Sequence, residues 1–297
     1  MTVWHKKWFQ FSILLALAMI WGSSFILIKI GLKSFSNTQS AALRLFFASL
    51  VLLPLAWKNR SHFSRKDLKS LLIAAFIGSF IPAFLFTKAQ TRIDSATAGI
   101  LNSLTPVFTL IVGLLWHRTR VTGWQITGLF LGLLGAVGLI TQGTPGAISF
   151  NSYGFFVVLA TLCYGFNVNQ IKSYLTHLNG IRITAFSFMF IFPAATLWLL
   201  TEDFSGVPMS PGWGWHLSAL AVLGIIGTAF AMLLMNSLIR YTSAVFASSV
   251  TYIIPVFAIL WGLADGEIIT AGDLGFMAVI LGGVYLINSR RPSLPGR

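Results

Sequence analysis

Long apolar runs recur along the whole chain and are separated by short polar connections. Each run holds about 19–23 residues, which is the length that a helix needs to cross the hydrocarbon core of a bilayer. The composition agrees, because 56% of the 297 residues are hydrophobic and 9% are charged, against roughly 25% charged in a typical soluble domain. A soluble fold of this size could not bury so much apolar surface. The sequence therefore predicts an all-α polytopic membrane protein.

Ten transmembrane helices are predicted, in two groups of five. The first group comprises Phe11–Leu32, Gln39–Trp57, Leu68–Lys88, Ser95–Leu115 and Gly123–Thr141. The second group comprises Tyr153–Gln170, Ile181–Thr201, Trp213–Met235, Ser243–Leu263 and Ala271–Asn288. The connections between these spans are short and leave no room for a separate soluble domain.

Basic residues concentrate in alternate connections. A net charge of +13 would suggest a nucleic-acid partner in a soluble protein. Here 15 of the 20 Lys and Arg residues fall on one side of the predicted spans, and six of the seven acidic residues fall on the other. Cytoplasmic loops carry the excess of basic residues, so both termini are expected in the cytoplasm. We expect a multi-pass protein of the cell inner (plasma) membrane, with the lipid bilayer as partner and no nucleic acid.

The second group of spans repeats the first. The matching segments are Pro106-Val107-Phe108 with Pro255-Val256-Phe257 at a shift of 149, and Trp21-Gly22 with Tyr164-Gly165 at a shift of 143, together with Lys29 and Lys172. Because five is an odd number, the second unit crosses the membrane in the opposite sense. The sequence thus predicts two inverted five-helix repeats, residues 11–141 and 153–288. Inverted repeats are typical of secondary transporters, whose substrate site lies near the midplane between the repeats.

Five segments carry a family resemblance. They read IWGSSFILIKIGL in span one, AALRLFFASL in span two, TAGILNSLTPVFT in span four, SAVFASSVTYIIPVF in span nine and GEIITAGDLGFMAVILGGVYLI at the end. Together with the repeat and the topology, they resemble the drug/metabolite transporter superfamily, of the type with two EamA domains. The resemblance implies a ten-helix bundle that exports or exchanges small metabolites. The family often has a Glu after span four, where this chain has Arg118, whereas Glu267 keeps that residue in the second unit.

Catalytic and metal-binding motifs are absent from the sequence. It has no HExxH, no Gly-x-Ser-x-Gly and no Cys/His cluster with metal-ligand spacing, and its one cysteine is Cys163. An intramembrane enzyme needs such a constellation in its helices. We therefore expect no enzyme activity, no metal and no cofactor. A passive channel, or a membrane scaffold or receptor, stays open as an alternative.

No acidic residue lies centrally in a predicted span. Proton-driven carriers commonly use an embedded carboxylate as a relay. We therefore expect facilitated diffusion or exchange instead of carboxylate-mediated proton antiport, with Asp273 near an end of span ten as the least implausible exception.

Three basic residues of the predicted spans, Lys29, Arg44 and Lys88, are candidates for function, because charge within a span is costly. Lys29 and Lys88 are near span ends, so we expect their ammonium groups to snorkel to the lipid headgroups. Arg44 lies at least a turn inside span two, and the resemblance places an arginine there in many relatives. Arg44 is therefore a candidate substrate-binding residue, with bonding to carbonyls of neighbouring helices as the alternative.

Trp21 and Tyr164 occupy equivalent places midway through the first helix of each repeat. Aromatic residues in membrane proteins usually lie at the interfaces, and these two are deeper. We predict that they line a central cavity and stack on substrate, with core packing or lipid contact as the alternative. Asn167 follows in span six, and its amide needs a partner across helices or in a wet cavity.

Pro106 and Pro255 interrupt spans four and nine. A proline inside a helix frees the carbonyl four residues earlier, and in hydrocarbon that carbonyl needs a partner or a water-filled cavity. We predict that both prolines act as hinges. The predicted substrate-binding residues beside them are Asn102, Ser103, Thr251 and Tyr252. The alternative is that both prolines only kink their helices for packing.

The sequence as a whole predicts a secondary transporter that moves a small metabolite such as an amino acid outward by alternating access. Organic anions, including nucleotide-sugar or phosphate compounds, are the alternative substrates, because basic groups lie toward the outer side. The sequence does not predict an oligomeric state.

Overall fold

The computed structural model describes residues 3–117, 122–141, 151–242, 246–247 and 249–289. Arg118, Arg120, Arg290, Arg291 and Arg297, which contribute to the charge pattern, lie outside these residues. The helices of the first half are α1 (Lys7–Gly31), α2 (Asn37–Asn59), α3 (Leu68–Ala75), α4 (Ile81–Ala89), α5 (Ser95–Asn102), α6 (Thr105–His117) and α7 (Gly123–Thr141). Those of the second half are α8 (Gly154–Tyr174), α9 (Gly180–Thr201), α10 (Trp213–Gly224), α11 (Ala231–Tyr241), α12 (Ile254–Ala264) and α13 (Ala271–Ser289).

Three irregular helical segments complete these spans. Two π-helical segments, Phe76–Phe80 and Ile225–Phe230, join α3 to α4 and α10 to α11. A 3₁₀ turn, Ser249–Tyr252, precedes α12. In a π-helix the hydrogen bonds close five residues apart, and such segments occur frequently at functional sites.

The helical lengths agree with a membrane-spanning fold. Eight described segments are long and apolar enough to cross a bilayer, by length and composition, and two shorter apolar segments follow them, Val250–Ala264 and Ala271–Ile287. The prediction of a polytopic helical membrane protein is confirmed. The predicted span ending at Met235 continues to Tyr241, because the π segment joins α10 and α11 into one continuous helical span.

The two spans with prolines differ from the expectation of a kinked helix. Helix α5 ends at Asn102, and Pro106 is the second residue of α6. Likewise Pro255 is the second residue of α12. A proline in the first turn costs no hydrogen bond, since the amide hydrogens there have no partner within the helix. The chain therefore breaks each span into two helical pieces, where the sequence predicted one bent helix.

Helices of the two predicted repeats pack into each other. Helix α1 packs against α12, and α6 packs against α8. Gly22 on α1 faces Phe257, and Gly165 on α8 faces Thr109, so closely that an added Cβ would collide in both places. Gly22 and Gly165 are equivalent at the shift of 143 found in the sequence. The pairing of α1 with α12 is in the same way equivalent to the pairing of α8 with α6. The bounds of the repeats as separate units remain a prediction.

A capping box fixes the start of α2. The Ser36 hydroxyl accepts from the Gln39 amide at 3.0 Å, and the Gln39 side chain accepts from the Ser36 amide at 2.9 Å. This reciprocal pair satisfies two amide hydrogens that the helix leaves unpaired. The Gln39 side chain also donates to the Asp203 carbonyl at 2.6 Å. Because both contacts anchor α2, they also set the position of Arg44 two turns further on.

Candidate functional site

A cavity of about 100 Å³ lies between the helices of both halves. One water molecule needs roughly 10–15 Å³ of such space, so the cavity has room for several waters or a small ligand group. Its wall is mostly apolar, with a minority of polar side chains. The predicted site residues that line it are Trp21, Arg44, Asn102, Tyr164, Asn167 and Thr251.

The other two predicted site residues are engaged elsewhere. The Ser103 hydroxyl donates to the carbonyl of Thr251, four residues before Pro255, at 2.9 Å. The Tyr252 hydroxyl donates to the Val284 carbonyl on α13 at 2.7 Å. Ser103 therefore joins the broken spans of the two halves, and Tyr252 holds α13 to the bundle.

A local hydrogen bond also satisfies a backbone carbonyl at the first proline break. The Thr105 hydroxyl donates to the Asn102 carbonyl at 2.9 Å. The carbonyls four residues before the two prolines thus both accept from protein hydroxyls, one within its own span and one across the two halves. The side chains of Asn102 and Thr251 remain in the cavity wall.

Arg44 is the cation of the cavity wall. The residue is 8% exposed, and its Nε donates to the Thr228 hydroxyl at 2.7 Å. Within the described part of the chain, no carboxylate lies within ion-pair distance of its guanidinium. Burying a charge is costly unless it is paired and hydrogen-bonded, and Thr228 supplies only a neutral acceptor. The guanidinium can therefore receive an anionic group from the cavity.

Both π segments contribute to the cavity wall. Gly78 and Ser79 come from the first segment, and Gly227 and Thr228 come from the second. These Gly-Ser and Gly-Thr pairs are related by the same shift of 149 as the prolines. The sequence interpretation missed Ser79 and Thr228, although this repeated dipeptide was the signal that could have identified them.

Glycines in the π segments let the first helix of each half approach closely. The Trp21 indole donates to the Gly227 carbonyl at 3.0 Å, and a Cβ on Gly227 would lie 2.9 Å from the Ser24 hydroxyl. A Cβ on Gly78 would collide with the amide of Asn167. The two contacts correspond by the repeat shift of 143, because Ser24 and Asn167 are equivalent.

Aromatic rings cover part of the cavity. Tyr164 stacks on Phe86 with ring centroids 5.9 Å apart, and Phe86 contacts Phe25 at 5.8 Å. All three residues line the cavity. Tyr164, which the sequence predicted in a central cavity, thus lies in the cavity wall against Phe86, and its contact with substrate stays a prediction.

Several buried polar atoms of residues in the cavity wall have no hydrogen-bond partner within the described part of the chain. They are the Ser79 hydroxyl and the side-chain oxygens of Asn102, Asn167 and Asn236. An unsatisfied buried polar atom costs about 1–3 kcal/mol. All four residues border the cavity, although these particular atoms have almost no accessible surface of their own.

An ion-pair cluster joins separate helices at one end of the bundle. The Lys29 ammonium lies 2.7 Å from Glu267 and 2.8 Å from Asp265. The Glu267 carboxylate also accepts from the backbone amides of Ser95 at 3.0 Å and Ala96 at 3.1 Å, in the first turn of α5. We call these five residues the Glu267 cluster. Lys29 is paired with protein carboxylates, so the expectation that it snorkels to lipid is wrong.

Burial and hydrogen bonding in this cluster shift the pKa values of two carboxyl groups. Burial of Glu267 opposes its ionisation, but hydrogen bonds from Lys29 and from the two amides hold its pKa below the ordinary value. Burial, followed by the negative charge of Glu267, raises the pKa of neighbouring Asp94. The lowered pKa keeps the Glu267 carboxylate ionised at neutral pH, and its charge lies at the positive end of the α5 dipole.

The opposite end of the bundle carries a different arrangement. Lys172, the equivalent of Lys29, donates to the carbonyls of Ile239 at 3.0 Å and Thr242 at 2.9 Å. Asp67 pairs with His177 at 3.0 Å on that side. Arg118, which the sequence aligns with Glu267, lies outside the described residues. Within the described ranges, no group of three His, Cys, Asp or Glu residues could hold a metal ion.

Comparison with known proteins gives a consistent pattern. The EamA-like transporter family matches residues 8–141 and 151–289. An uncharacterized inner membrane transporter of Escherichia coli, YedA, is 27% identical over 97% of this chain and 93% of its own length. An uncharacterized transporter of Archaeoglobus fulgidus is 26% identical over 96% of this chain and 100% of its own.

Two further similarities bear on the fold and the substrate. A Streptantibioticus cattleyicolor protein named as a probable terminal-alkyne amino-acid exporter is 22% identical, over 93% of this chain and 94% of its own. A solved crystal structure superposes with a TM-score of 0.65 at 15% identity, covering 95% of this chain and 96% of that one. At this level of identity, the crystal structure supports the overall fold alone.

Proposed function

The chain belongs to the EamA-like transporter family, and within that family we propose that it is a secondary transporter of small zwitterions such as amino acids. The observation that carries this proposal is Arg44, a buried cation without a carboxylate partner among the described residues. A substrate carboxylate would complete its pairing through a charge-assisted, two-pronged hydrogen bond, the geometry that guanidinium favours. A transporter, not an enzyme, is also what the family and the named relatives indicate.

The composition of the cavity wall favours a single negative charge on the substrate. Among the described residues, Arg44 is the one Lys or Arg side chain in the wall, and the other polar groups there are neutral hydroxyls, amides and an indole. A nucleotide sugar or phosphate compound would bring two or more negative charges to one arginine. A carboxylate with an apolar side chain matches the wall better, since Phe25, Phe86 and Met235 cover it.

The Glu267 cluster supports alternating access over a passive channel. It ties α1 and α5 to the loop after α12, at the end that the charge distribution predicts to face outside. We propose that substrate passes this end only after those bonds break. We propose that rocking of the halves breaks them, and that the protein works in the cell inner membrane with both termini cytoplasmic and moves its substrate outward. The relative named as an amino-acid exporter supports this direction.

Thermal unfolding of the purified protein tests the carboxylate requirement. We expect leucine, methionine or phenylalanine to raise the Tm, because a ligand at about 100 times its Kd stabilises the native state by about 2.7 kcal/mol. The matched amides, such as leucinamide, lack the carboxylate and should leave the Tm unchanged at the same concentration. Stabilisation by the amides, or by nucleotide sugars in place of amino acids, would contradict the proposal.

A further inference from the structure

We infer that Thr228 is a positioning residue, which holds the Arg44 guanidinium so that its two terminal nitrogens receive the carboxylate of the substrate. The inference rests on the proposed function and deepens it, because two-pronged binding of a carboxylate needs a guanidinium in one fixed orientation. Arg44 lies on α2 of the first half, and Thr228 lies in the π segment Ile225–Phe230 of the second half. The orientation of the cation is therefore set across the two halves.

Two hydrogen bonds fix the Thr228 hydroxyl. A hydroxyl has one proton to donate and two lone pairs with which to accept. Thr228 donates its proton to the Leu223 carbonyl at 3.0 Å, which lies five residues earlier, the spacing of a π-helical turn. The oxygen accepts from the Nε of Arg44 at 2.7 Å. Because its proton is already engaged within the π segment, the hydroxyl presents a defined acceptor to Arg44.

This contact engages one nitrogen of the guanidinium and leaves the other two. Within the described part of the chain, Nη1 and Nη2 of Arg44 have no hydrogen-bond partner. Neither of them is among the unpartnered atoms that have lost their accessible surface, and Arg44 lines the cavity. The terminal nitrogens lie side by side in one plane and match the two oxygens of a carboxylate. A bond at Nε therefore orients the cation without competing with the substrate.

Contacts beside the pair hold the two helices in register. The Trp21 indole donates to the Gly227 carbonyl at 3.0 Å, directly before Thr228 in the π segment. A Cβ on Gly224 would collide with the Arg44 carbonyl, so α10 and α2 touch at this level. Arg44 is 8% exposed and Thr228 is 4% exposed. The guanidinium is therefore oriented before substrate arrives, which lowers the cost of binding.

The equivalent positions of the other repeat carry no charge. Helices α2 and α9 begin at Asn37 and Gly180, a shift of 143. By this shift Arg44 corresponds to Ser187, and by the shift of 149 Thr228 corresponds to Ser79. The repeat thus supplies one guanidinium and one acceptor that fixes it, which matches a substrate with one carboxylate.

A double-mutant cycle on the full-length protein in proteoliposomes tests whether Thr228 acts through Arg44. The probes are labelled leucine, methionine and phenylalanine, and the readout is kcat/KM of initial uptake. Thr228→Val keeps the shape of the side chain but cannot accept from Nε. We expect it to lower kcat/KM about tenfold, which corresponds to 1.4 kcal/mol. In an Arg44→Ala background the same substitution should change kcat/KM by less than about twofold, because no guanidinium is left to position.

Further variants separate the hydroxyl from the packing around it. Thr228→Ser keeps the acceptor and should stay within about twofold of the wild type. Thr87→Val is the matched control, because Thr87 is buried, donates to the carbonyls of Ala83 at 3.1 Å and Phe84 at 3.0 Å, and does not line the cavity. It should keep the wild-type kcat/KM. Where Thr228→Val does not fold, Thr228→Ala, which also lacks the hydroxyl, takes its place in the cycle.

The outcomes distinguish the positioning role from the proposed function. A loss of about tenfold from Thr228→Val in both backgrounds would show that Thr228 binds substrate itself or only supports the fold, and would overturn the inference. Unchanged kcat/KM in Thr228→Val, or equal losses in Thr228→Val and Thr228→Ser, would also overturn it, while the proposed function survives. If the wild-type protein takes up none of the three amino acids, the proposed function fails and the positioning role fails with it.

Discussion

Replacing Arg44 with alanine is expected to lower kcat/KM for amino-acid transport at least about 100-fold. The guanidinium is the partner that we assign to the substrate carboxylate, and truncating one member of a buried charge pair costs about 2–5 kcal/mol of binding. A loss of 2.7 kcal/mol corresponds to about 100-fold. The measurement is initial uptake of labelled amino acid into proteoliposomes over a range of concentrations.

Thermal stability separates this role from a structural one. Because Arg44 has no carboxylate partner among the described residues, its removal takes away a buried charge and should leave the Tm of the substrate-free protein unchanged or raised. Arg44→Lys keeps the charge but loses the planar fork, so it should retain part of the activity. A large drop in the Tm of Arg44→Ala with unchanged affinity would show that the residue only holds helices together.

Replacing Glu267 with glutamine is expected to open the predicted outer end. The substitution removes the charge that binds Lys29 and weakens the bonds to the amides of Ser95 and Ala96. Loss of a charge-assisted bond of about 1.5–3 kcal/mol would shift the balance between closed and open states about tenfold. Ser24→Cys in a Cys163→Ala background places the one cysteine in the cavity wall. Its labelling by an impermeant maleimide from outside should be about tenfold faster in Glu267→Gln.

A matched control and a pH profile sharpen this test. Glu202→Gln changes a carboxylate at the same end whose one hydrogen bond among the described residues comes from Trp198, four residues earlier, and it should not alter the labelling rate. Glu267 has a lowered pKa, so the stability of the closed end is fully present above the ordinary value of 4.5 and is lost as the pH falls through the lowered value. Equal labelling in Glu267→Gln and the wild type would contradict a closing role for the cluster.

The sequence predicted the features that depend on hydropathy and on repetition. Apolar run length located the spans, because a helix must match the bilayer whatever its neighbours are. The internal repeat identified Trp21 with Tyr164 and Asn102 with Thr251, and all four line the cavity. Equivalent positions of inverted repeats meet near the midplane. The repeat therefore indicated both which residues are equivalent and that they lie deep in the membrane.

The sequence did not predict features that depend on contacts between distant segments. Lys29 is 238 residues from Glu267, and nothing local distinguishes an ion-paired lysine from one that reaches the headgroups. The π segments with Ser79 and Thr228 follow from helix packing more than from composition. Pro106 is mid-run in the sequence, and only the helix break two residues earlier places it in the first turn of α6.

Counterflow in proteoliposomes tests the central claim most directly, since only a carrier that alternates its access exchanges one substrate molecule for another. Vesicles containing the purified protein are loaded with unlabelled leucine, methionine or phenylalanine, and uptake of the same labelled amino acid is followed from dilute external solution. We predict that loading accelerates uptake, and that labelled amino acid accumulates transiently above the external concentration. Uptake that is unaffected by loading and rises linearly with external concentration would show a passive pore and contradict the account.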